Sequence, residues 1–160
     1  MTRVLFVCTG NVFRSLTAEY ALKQQVGLRG RIHVSSAGTR DAPEISVRED
    51  VAAYLMGKGL DVSNHQRRLV NAELLEQTDL VVAMNTDHQK TLQQRHGVKA
   101  PLYMEACGQG ALPLLDVDDL FARGEWYSPA AIGHIQQIID QIVAASPALS
   151  ARLLAGGGGA

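Results

Sequence analysis

The chain has 160 residues, enough for one domain with a sizeable core. Hydrophobic residues make up 46% and charged residues 19%, ordinary for a globular protein, and a formal charge of −1 gives no global drive toward nucleic acid. Two cysteines are too few for a disulfide framework, and no apolar run reaches the length of a membrane span, so the expectation is a cytoplasmic protein with neither nucleic acid nor membrane as partner.

The N-terminus enters a strand-like run at once, Val4–Val7, without the long apolar stretch and cleavage site of a signal peptide. A loop follows, then a helical pattern over Leu16–Gln25 and a second strand over Arg31–Ser35. A helix is expected over Val47–Lys58, a strand over Leu80–Ala83, a helix over Thr86–Arg95 and a weaker strand near Pro101–Tyr103. Ile132, Ile135, Ile138, Ile139 and Ile142 give Pro129–Ala145 one apolar helix face, which is a core-packing pattern. Alternating strands and helices predict an α/β fold: a single three-layer domain over residues 1–150, with a four-stranded parallel sheet covered by helices on both faces. Residues 151–160, ending in the glycine-rich Ala155–Ala160, are expected to form a flexible tail.

The loop after the first strand reads Cys8-Thr9-Gly10-Asn11-Val12-Phe13-Arg14-Ser15. A strand-to-helix loop can aim successive amides at one point, and a helix N-terminus adds unpaired donors and partial positive charge. Gly10 can take positive φ and Asn11 tolerates it, which allows the tight curl of an anion-binding nest. Arg14 supplies a planar fork for a phosphoryl group. Amides, helix and Arg14 together stabilise a thiolate at Cys8, and a thiolate is a nucleophile. Ser15 can cap the helix, or donate to the sulfur when Cys8 becomes a leaving group. Taken alone, a Cys after a hydrophobic strand is most often a small core residue. Here Gly, Asn, Arg and Ser all fall where a phosphate-wrapping loop needs them.

These residues resemble the low-molecular-weight protein tyrosine phosphatases, whose signature near the N-terminus is Cys-x5-Arg-Ser. Ser36-Ala37-Gly38-Thr39 is similar to the family's second phosphate-side segment, Asn64–Leu69 to its His-x-Arg stretch, and Asp79–Met84 to its third strand. The resemblance implies a phosphomonoester hydrolase acting through a cysteinyl-phosphate. Cys8 would be nucleophile, Arg14 and the amides of Thr9 through Ser15 would hold the phosphoryl oxygens, and Asn11, Ser36 and His65 would brace the loop. It also implies a phosphorylated protein substrate, with a tyrosine kinase as possible partner. Neither cofactor nor metal is expected, since His65 and His88 have no companion ligands in the sequence.

Ester cleavage needs a proton for the leaving oxygen. The segment Leu115-Asp116-Val117-Asp118-Asp119-Leu120-Phe121 carries the candidates. Read without the resemblance, three Asp before a helix are N-caps and first-turn charges. Set against the family's Asp-Pro-Tyr, Val117 and Phe121 place the acid at Asp119, with Asp118 one residue away as the fallback. Leu120 then stands for Pro, and Phe121 for Tyr as an aromatic of the substrate cleft.

Other departures bear on substrate and regulation. Phe13 stands where many members have a second Cys, so Cys8 lacks a local disulfide partner, and only distant Cys107 remains. The stretch Arg40–Glu44 lacks the aromatic that often lines the cleft. At Val12, phosphoarginine-specific relatives place Thr and tyrosine-specific relatives tend to have Ile. A methyl offers a guanidinium no hydrogen bond, which favours phosphotyrosine over phosphoarginine. Arsenate reductases with a similar loop need two further cysteines, and a non-catalytic phosphate-binding module is the alternative outside enzymes.

Overall fold

The computed structural model of the chain describes residues 1–157. Its centre is a parallel sheet in the order β2-β1-β3, built from β1 (Thr2–Cys8), β2 (Ile32–Gly38) and β3 (Leu80–Ala83). Cys8 lies opposite Gly38 and Val7 opposite Ala83, so all three strands finish at the same edge. Side chains alternate across the pleat. Val4, Phe6 and Cys8 face one apolar cluster, Leu5 and Val7 the other.

The first cluster is covered by α1 (Arg14–Lys23), α2 (Glu49–Gly57) and α7 (Pro129–Gly157). The second is covered by α3 (Ala72–Glu76) and α4 (Thr86–His96), through Leu75 and Leu92. Ile135, Ile138, Ile139 and Ile142 of α7 are all buried, each contributing about 1.5–3 kcal/mol by leaving water. The hydroxyl of Tyr103, in α5 (Tyr103–Ala106), donates to the Ile142 carbonyl at 2.8 Å. Tyr103 also meets Phe6 edge-on, with ring centroids 5.7 Å apart.

Two expectations are corrected. The sheet has three strands among the described residues, not four: Leu102 makes one isolated bridge to Ala83. Pro101 accepts from the Ala83 amide at 2.9 Å but has no N–H to return, and Tyr103 already opens α5. The helix expected to end at Ala145 instead passes through Pro147 to Gly157, so residues 151–157 are helical. Buried Leu149, with Leu153 and Leu154 packed against the core, holds it together past the proline. Residues 158–160 lie outside the described residues. By length and composition α7 could span a membrane, but its buried isoleucine face packs into the domain core.

The end of β2 fixes where the loop after β1 runs. A Cβ at Gly38 would stand 2.5 Å from the Thr9 carbonyl oxygen and 3.2 Å from the Asn11 nitrogen. Gly38→Ala is therefore expected to lower stability by ~1–3 kcal/mol through overpacking against backbone. Gly133→Ala, in open space on α7, should raise it by ~0.5–1 kcal/mol. Urea unfolding of the two variants checks the opposite signs.

Candidate active site

The loop between β1 and α1 is closed by a chain of side-chain hydrogen bonds whose direction is fixed. Glu19, on α1, can only accept, and it takes the Ser36 hydroxyl proton. Ser36 Oγ accepts in turn from Asn11 Nδ2 at 2.7 Å. The same amide nitrogen donates to Ser15 Oγ at 2.9 Å. Asn11 Oδ1 receives the Arg68 amide at 3.2 Å, which sets the orientation of the Asn11 side chain. Ser15 Oγ in turn lies 2.9 Å from Cys8 Sγ, a contact in which the hydroxyl can donate to the sulfur. Asn11, Ser15 and Ser36 are buried, and the carboxylate of Glu19 is held on its other side by Lys23.

Asn11 alone among the non-glycine described residues has positive φ, at 59°. Of the two residues expected to allow the tight curl, Gly10 and Asn11, it is Asn11 that takes the positive φ, with a side chain able to pin the conformation it adopts. Its carbonyl accepts from His65 Nε2 at 2.9 Å, and the Gly10 carbonyl accepts from Arg67 Nε at 2.8 Å. Because each peptide unit is planar and trans, the Asn11 and Val12 N–H groups point opposite to these two carbonyls. No amide from Thr9 to Ser15 donates to a backbone carbonyl among the described residues. Ser15 does not cap α1: the N-cap is Phe13, without a side-chain cap. Phe13 is buried, packs into the core and also lines the cleft.

Arg14 is 2% exposed. One terminal nitrogen donates to the Leu114 carbonyl at 2.8 Å and the other meets Asp116 Oδ2 at 3.3 Å. Its Nε–H is buried without a partner among the described residues, and Arg14 lines the same cleft as Cys8. A buried guanidinium N–H without an acceptor is a site for an anion.

Thr9 is fixed by His88 of α4. The Asn85 amide donates to His88 Nδ1 at 3.1 Å, so the proton sits on Nε2 and is donated to Thr9 Oγ1 at 2.9 Å. Burial, and then the charge of Arg14, push the His88 pKa down to about 3.

Over the loop stands a cleft of about 270 Å³. One wall carries Ile45, Arg48 and Val51, another Trp126 and Tyr127, and a third Asp116 and Asp118. Asp116 is the N-cap of a four-residue helix, α6 (Val117–Leu120), and Asp119, three residues on, closes the capping box by accepting from the Asp116 amide at 2.7 Å. Asp119 is not among the lining residues, whereas Asp118 is. Burial first, then the charges of Asp116 and Asp119, raise the Asp118 pKa, with Arg14 opposing.

The structure thus places Ser36 and His65 on Asn11, and Cys8 and Arg14 in the lining of one cleft; Asp118 lines that cleft, while Asp119 accepts from the Asp116 amide in the cap of α6. Phe121, expected in the cleft, packs against the core and His134, and its carbonyl accepts from Trp126 Nε1 at 3.2 Å. The aromatic wall is Trp126 and Tyr127 instead. Glu19, Arg48 and His88 were not anticipated. The sequence signal for Arg48 was its spacing to Asp50 at a helix start, and for the wall it was two adjacent aromatics, one the chain's single Trp.

A family model described as low molecular weight phosphotyrosine protein phosphatase matches residues 3–154. The chain is 37% identical over 91 residues to low molecular weight protein-tyrosine-phosphatase Ptp of Acinetobacter johnsonii. That match covers 57% of this chain and 62% of the relative, less than two thirds of its length. It is 27% identical over 137 residues to a probable low molecular weight protein-tyrosine-phosphatase of Ralstonia solanacearum, covering 86% and 90%. Among solved structures it is similar to an arginine phosphatase, a Cys-to-Ser mutant with a phosphorylated active-site serine: 25% identity, TM-score 0.79, 95% of each chain covered.

His88 gives the site a pH dependence of known sign. The folded state keeps the imidazole neutral down to about pH 3, whereas the unfolded chain protonates it near 6.5. Between those values the unfolded state binds more protons, so stability falls as pH falls, by up to ~1.4 kcal/mol per unit for this group. His88→Asn, which keeps an acceptor for the Asn85 amide, should flatten the slope of unfolding free energy between pH 6.5 and 4.

Proposed function

The chain belongs to the low molecular weight phosphotyrosine protein phosphatase family, and from that membership we propose that it hydrolyses phosphotyrosine in proteins through a cysteinyl-phosphate. The observation that carries the reading is one cleft lined by both Cys8, whose Sγ lies 2.9 Å from Ser15 Oγ, and Arg14, whose buried Nε–H has no partner among the described residues. The Ser15 hydroxyl can stabilise the sulfur when it leaves, and the Arg14 guanidinium can anchor the phosphoryl oxygens.

Cys8 Sγ attacks phosphorus, forming the S–P bond as the P–O bond to the tyrosyl oxygen breaks. The loop amides and Arg14 take the equatorial oxygens. A carboxyl of the Asp116–Asp119 turn gives its proton to the leaving phenolate. The resulting carboxylate then takes a proton from water, which attacks phosphorus and releases inorganic phosphate. Cys8 leaves as thiolate, stabilised by the Ser15 hydroxyl.

We assign the acid to Asp118, because it lines the cleft and its carboxyl is held protonated to higher pH than an ordinary Asp. Asp119 is the acid by alignment with the family motif, and its carboxylate is engaged in the cap of α6. An apolar and aromatic cleft, lined also by Val12, supports phosphotyrosine as the substrate. Phosphoarginine is the second reading, favoured by the similarity to an arginine phosphatase. A cytoplasmic setting goes with this chemistry, since Cys8 and Cys107 are both free and a thiolate nucleophile needs reducing surroundings. The phosphoryl group would be put on by a tyrosine kinase.

Wild type is expected to hydrolyse p-nitrophenyl phosphate and to prefer a phosphotyrosine peptide over its phosphoarginine counterpart. Cys8→Ser should abolish turnover, and an active Cys8→Ser variant would overturn the covalent scheme. Asp118→Asn should lower kcat by ~100-fold or more while inorganic phosphate still binds. Asp119→Asn should act mainly through the lost cap, lowering stability by ~1 kcal/mol. The reverse pattern in kcat would transfer the acid to Asp119.

A further inference from the structure

Resting on the phosphatase reading above, we propose that Arg48 is a specificity-determining residue. Its guanidinium occupies the face of Tyr127 on which a substrate guanidinium would stack, and so turns the cleft toward phosphotyrosine and away from phosphoarginine.

The guanidinium carbon of Arg48 lies 3.8 Å from the centre of the Tyr127 ring. It is held there from three directions. Nε and one terminal nitrogen form a fork on Asp50 at 2.9 and 2.7 Å, and the other terminal nitrogen donates to the Trp126 carbonyl at 2.8 Å. With every nitrogen engaged, the group cannot swing aside without breaking three hydrogen bonds. Tyr127 is 68% exposed even with Arg48 stacked on one face, so removing the guanidinium would open that face as well. Arg48 and Tyr127 both line the cleft that holds Cys8.

A phosphoarginine carries its phosphoryl group on a guanidinium nitrogen. With phosphorus on Cys8, the planar cation begins one bond farther out, within the cleft. The favourable place for such a cation is an aromatic face, and Arg48 already holds it. The exposed Arg40 adds a second like charge to the lining. Of the lining carboxylates, Asp116 is paired with Arg14, and Asp118 has its pKa raised. A phenyl ring carries no charge to repel and can pack against Ile45 and Val51.

The test compares kcat/KM for phosphoarginine and phosphotyrosine peptides of otherwise identical sequence. Arg48→Met is made in an Asp50→Asn background, so that the freed carboxylate does not itself attract the substrate, and Asp50→Asn alone is the reference. The ratio of phosphoarginine to phosphotyrosine efficiency is expected to rise ~5- to 10-fold. Inhibition by inorganic phosphate, which reports the loop alone, should be unchanged. Adding Tyr127→Leu should cancel the gain, because the incoming cation then has no ring to stack on. Should Arg48→Met lose phosphate binding, Arg48→Lys replaces it. A lysine lacks the fork, so the ratio should move in the same direction by ~2-fold. An unchanged ratio in a variant that binds phosphate, a gain that survives loss of the ring, or a wild type that prefers phosphoarginine would overturn the proposal. A wild type that hydrolyses neither peptide would instead overturn the phosphatase reading on which it rests.

Discussion

The site depends on the polarity of one hydrogen-bond chain. An amide side chain has two donors and one acceptor oxygen, and Asn11 uses all of them inside the protein: toward Ser15, toward Ser36 and from the Arg68 amide. Because a carboxylate ends the chain at Glu19 and a backbone N–H enters it at Arg68, no member can reverse its proton without leaving a buried group unpaired. The hydroxyl next to Cys8 is held by this chain 2.9 Å from the sulfur. The positive φ of Asn11 and the absence of a side chain at Gly38 follow from the same demand, since both let the loop curl against the end of β2.

The cleft above is assembled from three separate parts of the chain, and its walls are tied by a single guanidinium. Arg48 stands just before α2, yet it bonds the carbonyl of Trp126 and stacks on Tyr127. The width of the opening is thus set between the start of one helix and a turn some eighty residues later.

The contiguous part of the site was legible in the sequence, because strand, loop and helix occupy one stretch and the types at Cys8, Gly10, Asn11, Arg14 and Ser15 each answer a local need. Ser36 and His65 were reached through resemblance and do contact Asn11. What was not legible depends on rotation or on distance. Adjacent residues on a helix point ~100° apart, so the register of the four-residue α6 decides whether Asp118 or Asp119 looks into the cleft, and the capping box fixes that register. Glu19 reads as an ordinary charge on α1 until Ser36 is seen beside it. Phe121 had the right chemistry for a cleft wall, but the longer excursion to Trp126 and Tyr127 supplies that wall. The fourth strand failed at a proline, whereas the last helix continued through one, because Leu149, Leu153 and Leu154 had a core to enter and Pro101 had only one bridge to gain.

The position of the chain's one tryptophan has an optical consequence. The indole of Trp126 lines the cleft, donates to the Phe121 carbonyl and has the Arg123 guanidinium 6.0 Å from its ring. Its emission is therefore free of any other indole and arises at the mouth through which a substrate must pass. Binding, turnover and release can each be followed there as a change in intrinsic fluorescence, with no label added to the chain.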